Sequence, residues 1–381
     1  MTLAESMAQT LFAPETLSNP YPNFAELRPH TPLQLQDGQR EFYPLMKFRH
    51  VYDALKDPVT FSSKTEIGLV LISDDPPRHT KLRLLVNKVF TARRVAEAEP
   101  WITAISTDLL ERMGTGEVDV VDGYTMPLPV KVIATFLGVP PEDYRRFKEW
   151  SDKFIGENEP NDQMAMFEMF QYLGALVIER RANPKDDLIS QIVQSEIDGE
   201  KLSDSEAVGF IVLLLVAGNE TTTNLMSNML AILADRPELW ARLRADRSLV
   251  ERMIEETLRY ESPVQLLLRQ TTRDVEIDGT LIPAQSRVGI YFGAANRDPE
   301  EFPNPDEFQI DRDFDQHLAF GYGIHFCLGS QLARTEARIT LNGMLDRFAT
   351  IAPGAGQAER ITGTPIVFGW HKLPLAVTGA S

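Results

Sequence analysis

The sequence predicts a mainly α-helical chain with small β-sheets, an α+β arrangement in one domain. Three observations carry that expectation. Helical periodicity dominates from Asp74 to Tyr260, with capping residues and prolines at the helix starts. Short apolar runs replace it over 266–291, where Asp278-Gly279 reads as a hairpin turn. No Ser/Gly linker, charge block or internal repeat marks a boundary, so 1–381 reads as a single unit.

The opening stretch is rich in Pro, Thr and Asn, with strands expected at 33–35 and 42–45; the β-rich parts are 30–75 and 266–291. Pro76-Pro77 opens a helix at its first turn, where proline is tolerated, and the pattern runs to Phe90. Further helices are expected at 92–113, 127–137, 141–155 and 163–182, the last broken by Asn183-Pro184. Ser203-Asp204-Ser205-Glu206 is a capped start. The helix it opens runs to about Ala234 and is apolar on all sides in its first half, hence buried. Pro237 and Leu249 head two more helices, the second ending near Tyr260. Strands follow at 266–271, 275–277, 281–282 and 288–291, then a stretch with Pro299, Pro303 and Pro305, a helix at 330–348, and a last hairpin over 366–377.

Composition narrows the function. With 43% hydrophobic residues the chain can bury a large core. A net charge of −17 argues against nucleic acid and anionic membranes as partners. The greasiest run, 208–217, is too short to cross a bilayer, and the polar opening Met1-Thr2-Leu3-Ala4-Glu5 is unlike a secretory signal. One cysteine excludes an internal disulfide framework. A cytoplasmic protein without a membrane partner is expected.

That cysteine, Cys327, sits in Phe320-Gly321-Tyr322-Gly323-Ile324-His325-Phe326-Cys327-Leu328-Gly329. Glycines let backbone approach a flat cofactor. A helix start directly after the sulfur favours the thiolate. A second segment, Ala217-Gly218-Asn219-Glu220-Thr221-Thr222, places an acid and hydroxyls inside the apolar helix, where they are costly. Thr221 can bond back to the carbonyl four residues earlier and bend the helix, and Gly218 weakens it further. In Glu256-Thr257-Leu258-Arg259 the acid and base share a helical face. His79 and Arg83 share another; Arg269 lies on an expected strand, and His317 precedes the cysteine by ten residues.

Taken together these motifs resemble the cytochrome P450 family: F-G-x-G-x-H-x-C-x-G is similar to its haem loop, A-G-x-[DE]-T-[ST] to its distal helix motif, and E-x-x-R to its structural pair. The resemblance implies haem b, bound between a long distal helix and the helix after the cysteine loop, with Cys327 as the iron ligand. It implies that Phe320 packs beside the sulfur, that Gly321 and Gly329 belong to the cofactor-binding loop, and that the amides of Leu328 and Gly329 point at the sulfur. Ala217 and Gly218 would face the haem, Thr221 would donate a hydrogen bond to activated oxygen, and Glu220 would belong to the proton route. His79, Arg83, Arg269 and His317, with His325, would hold the two propionates. Glu256, Arg259 and Arg312 would brace the loop.

The implied activity is insertion of one atom of O2 into a lipophilic small molecule, with electrons from a separate ferredoxin-type donor and its reductase. Arg93, Arg94, Arg334 and Arg338 form a candidate docking patch for that donor. Pocket candidates are Ile67, Leu69, Val70 and Ile72; Leu213, Val216 and Ala217; Val264, Leu266 and Leu267; and Ile366 and Val367, nearly all apolar. The stretch from Phe61 to Asp75 is short for the family, which opens the pocket. Alternatives are a peroxide-driven peroxygenase, against which Glu220 and Thr221 argue, and a haem sensor or carrier without turnover.

Overall fold

A computed structural model describes residues 3–11, 13–37, 40–64, 70–87, 91–140, 143–155, 163–197, 199–313 and 315–380. Its organising element is the central helix Asp204–Ala234. Ser203 caps it: the hydroxyl accepts from the Glu206 amide, and the Glu206 carboxylate accepts from the Ser203 amide at 2.9 Å, a reciprocal pair contributing about 1 kcal/mol. The helix is long and apolar enough to cross a bilayer, yet 78% of that stretch is buried inside the protein. It packs against Pro127–Leu137, Tyr144–Ile155, Gln163–Ala182, Val250–Tyr260 and Ser330–Arg347. Leu215, Met226 and Leu230 are fully enclosed, each such side chain contributing about 1.5–3 kcal/mol.

Two sheets flank the helices. The larger runs in the order Leu35–Asp37, Arg40–Leu45, Arg287–Tyr291, Leu266–Thr271, Phe61–Ser62. Strand Arg287–Tyr291 lies parallel to Arg40–Leu45 and antiparallel to Leu266–Thr271, with Val288 opposite Arg269. The Asp278-Gly279 turn forms as expected, with φ of +47° and +77° at its two central residues.

The helices expected at 92–113, 127–137 and 163–182 occur at those positions, and the one placed at 330–348 ends one residue earlier, at Arg347. The helix after Pro76-Pro77 begins at Arg78. The opening region departs from expectation: it folds as helices Leu3–Leu11, Pro14–Ser18 and Tyr21–Leu27, two of them with proline in the first turn. Their apolar residues Met7, Leu11, Tyr21 and Phe24 pack with Leu266, Tyr291 and Phe368. The terminal hairpin is also corrected. Trp370–Lys372 pairs with Glu359–Arg360, while Pro374–Gly379 lies between Phe348–Pro353 and Gly116–Asp119. No tight turn joins the two C-terminal strands, so each takes a partner from elsewhere.

Candidate active site

The cysteine loop is shaped by backbone that only glycine adopts easily. Gly321 and Gly323 have φ of +70° and +68°. A Cβ at Gly323 would stand 2.6 Å from the carbonyl oxygen of Leu55. The Cys327 amide donates to the Phe320 carbonyl at 2.8 Å and closes the loop. Helix Ser330–Arg347 starts three residues later, and the amides that face the sulfur are those of Gly329, as expected, and of Ser330 in place of Leu328. Burial pushes the Cys327 thiol up; those amides, Arg83 and Arg334 oppose that shift and favour thiolate. Phe320 packs under the Arg334 guanidinium at 4.5 Å.

The expected brace is present. Arg259, with a fully buried side chain, donates to both oxygens of Glu256 at 2.7 and 2.8 Å. Arg312 reaches the same carboxylate at 3.2 Å. Arg259 also donates to the carbonyls of Asn296, Pro305 and Glu307. Asn296 in turn accepts the Leu318 amide at 2.7 Å, linking the pair to the start of the ligand loop.

Four of the five basic propionate candidates share one environment. His79 is 1% exposed, and neither ring nitrogen has a partner. Its ring lies 4.1 Å from that of His325. Burial, then Arg269, His79 and Arg83, push His325 down to about 3. Burial lowers Arg269 to about 10, opposed by Asp75, and lowers Arg83, opposed by Cys327. His79 is lowered by burial and by Arg83. Asp75, the nearby acid, is already bonded to the Ser62 hydroxyl at 2.5 Å and the Ser63 amide at 2.9 Å. The cluster therefore holds more buried positive charge than acid, and it fits two carboxylates of a ligand. His317 is the exception. One ring nitrogen bonds Glu255 at 3.0 Å and the other accepts the Ala319 amide, so both are spent within the protein.

The central helix stays continuous through Gly218 rather than breaking there. Thr221 donates to the Ala217 carbonyl at 2.7 Å, the back-bond expected. Ala217 is exposed, and Gly218 and Thr221 are half-buried, on a helix otherwise enclosed at this level. That strip is the accessible part of the distal wall. Glu220 points elsewhere: it is 1% exposed and paired with Lys148 of helix Tyr144–Ile155 at 2.9 Å. No local pattern links that lysine to Glu220.

Pocket candidates divide. Val70 and Ile72 pack in the same cluster as Leu213 and Val216; Ile67 and Leu69 lie outside the described residues. Leu267 shares a strand face with Arg269, whereas Leu266 faces the other way, into the N-terminal helices. Leu266 is thus core rather than lining. Val264 bridges Val367, with Ile366 beside it. In the expected docking patch, Arg93 pairs with Glu97, Arg338 with Glu99 and Arg334 with Glu255, so most of that charge is neutralised.

The site's residues match the haem group in kind: a loop thiol, a cationic cluster with orphaned nitrogens, and an accessible helix strip. When bound, haem supplies the redox and oxygen-activating chemistry. Comparisons agree. A sequence model of the cytochrome P450 family matches residues 133–378. Cytochrome P450 109 of Bacillus spizizenii is 39% identical over 94% of this chain and 92% of its own. Vitamin D(3) 25-hydroxylase of Pseudonocardia autotrophica is 36% identical over 99% and 98%. Among solved structures, cytochrome P450 CYP109Q5 from Chondromyces apiculatus superposes with a TM-score of 0.88 at 41% identity, covering 97% and 98%. CYP109E1 from Bacillus megaterium, in complex with testosterone, gives 0.89 at 37%, covering 96% and 99%. Sequence, fold and site converge, and the chain belongs to the cytochrome P450 family as a haem-thiolate monooxygenase.

Proposed function

We propose that the protein hydroxylates or otherwise oxidises a lipophilic small molecule, using O2 and two electrons from a separate ferredoxin-type donor. The observation that carries the substrate class is the wall beside Ala217 and Thr221. Leu213 and Val216, about one turn or less before Ala217, belong to the same apolar cluster as Val70 and Ile72. Relatives with lipophilic ligands in their names, testosterone and vitamin D(3), support it. On this proposal Cys327 ligates the iron, and His79, Arg83, Arg269 and His325 hold the propionates. Thr221 would hold and orient a proton on the accessible strip for the oxygen chemistry that haem would supply, and Glu220, buried and paired with Lys148, would belong to the proton route only at one remove. Residues 1–381 act as one cytoplasmic domain.

The test is optical. Reduced, carbon-monoxide-treated protein should show the absorption of thiolate ligation, and Cys327→Ser should abolish it. Testosterone, as a probe, should shift the spin state of the ferric protein by displacing iron-bound water. Retention of the thiolate absorption in the serine variant overturns the ligand assignment. A flat titration with testosterone and other lipophiles overturns the substrate class.

A further inference from the structure

One guanidinium outside the motifs joins three separate elements. Arg360 donates to the Asn228 side chain of the central helix at 3.0 Å and to both oxygens of Glu261, just past helix Val250–Tyr260, at 3.2 to 3.3 Å. It also lies over the rings of Phe368 at 4.2 Å and Trp370 at 3.6 Å. Asn228 itself donates to the Phe368 carbonyl at 3.0 Å. On the opposite side the turn between Glu359–Arg360 and Trp370–Lys372, which carries Ile366 and Val367, is tied to 263–265: the Gln265 backbone amide donates to the Ile366 carbonyl at 2.8 Å and the Phe368 amide to the Pro263 carbonyl at 2.9 Å.

The turn also presses on the central helix. A Cβ at Gly369 would stand 1.9 Å from the Asn224 side-chain oxygen. Asn224 is fully buried, and neither polar atom of its amide has a partner. At 3.6 residues per turn, Ala217, Thr221, Asn224 and Asn228 fall within about 60° of one another, and Asn228 lies about 10 Å along the axis from Thr221. The strip that opens to the site at Ala217 and Thr221 therefore continues to the two asparagines that meet the turn.

We infer that Arg360, acting with Asn228, positions the turn carrying Ile366 and Val367 against the substrate side of the central helix, and so sets which part of a substrate is presented for oxidation. This rests on the lipophilic-substrate reading above. Arg360 is a positioning residue: it reaches the substrate only through the turn. Its charge is matched by Glu261 and its flat face by two aromatic rings, a combination that lysine reproduces only in part.

The test compares wild type with Arg360→Ala, Arg360→Lys and Asn228→Ala, all haem-loaded. Hydrogen exchange in substrate-free protein should quicken at least about tenfold over 361–370 in Arg360→Ala and stay unchanged around Glu256 and Arg259. With testosterone as probe, affinity should fall about tenfold and the ratio of hydroxylated isomers should shift, while kcat stays within about threefold. Arg360→Lys should fall between wild type and alanine, and Asn228→Ala should shift the isomer ratio the same way. Unchanged exchange overturns the inference. So does quickened exchange with an unaltered isomer ratio, because the turn would then be held without being used. If wild type fails to bind testosterone, the substrate reading is what fails, and exchange still judges the clamp. If Arg360→Ala does not fold, the lysine and Asn228 variants decide.

Discussion

Glu256, Arg259 and Arg312 on one side, and His79, Arg83, Arg269 and His325 on the other, are both sets of buried ionisable groups, yet their accounts differ. In the brace, the Glu256 carboxylate meets two guanidiniums, and the remaining donors go to backbone carbonyls. In the basic cluster, cations and imidazoles face one another, and His79 has no partner at either nitrogen. Buried charge that is satisfied within the chain is scaffold. Buried positive charge left over is a receptor for something the chain does not encode.

The contrast can be broken by substitution. Arg259→Ala strands Glu256 in the interior and should cost about 3–5 kcal/mol, read as a lower midpoint in denaturant or as loss of soluble protein. A loss under 1 kcal/mol would show that the brace is not satisfied in the way its distances imply. Arg269→Leu should do the opposite to the haem-free protein, leaving its stability unchanged or raised, because a desolvated cation is relieved. Its haem affinity should fall about 10- to 100-fold, the loss of a charge-assisted hydrogen bond, measured by transfer of haem to an acceptor protein. Equal destabilisation of the haem-free chain would erase the distinction.

A third group sharpens it. Glu336 is 1% exposed, with one oxygen unpartnered, and burial raises its carboxyl well above the ordinary value of 4.5. Burial is the one cause of that shift and favours the protonated form, with no cation paired to Glu336 among the described residues. The folded chain holds this proton longer than the unfolded chain. Its contribution is therefore full below the ordinary carboxylate value and is lost as pH rises towards the raised one. Glu336→Gln removes that loss. Its stability relative to wild type should grow from pH 5 to pH 8 by about 1 kcal/mol or more, followed by thermal midpoint against pH.

What was legible in the sequence was short in range. The Ser203 cap, the Glu256–Arg259 pair and the glycines of the cysteine loop lie a few residues apart, so spacing alone encodes their geometry. Arg269 could be placed because its strand is well marked, but the facing of Leu266 could not. Neighbours on a strand point to opposite faces, and only the packing of the N-terminal helices decides which is inside. His317 and Lys148 found acids from other helices, Glu255 and Glu220, which no local pattern announces. The C-terminal strands misled for the same reason, since their partners lie at 116–119, 348–353 and 359–360.

Having a single thiol gives this enzyme a built-in counter. Cys327 is half-buried and is the chain's one thiol. A maleimide dye applied at alkaline pH can mark only molecules whose sulfur is not engaged by metal, with no background from other cysteines. The labelled fraction then gives the empty share of any preparation directly.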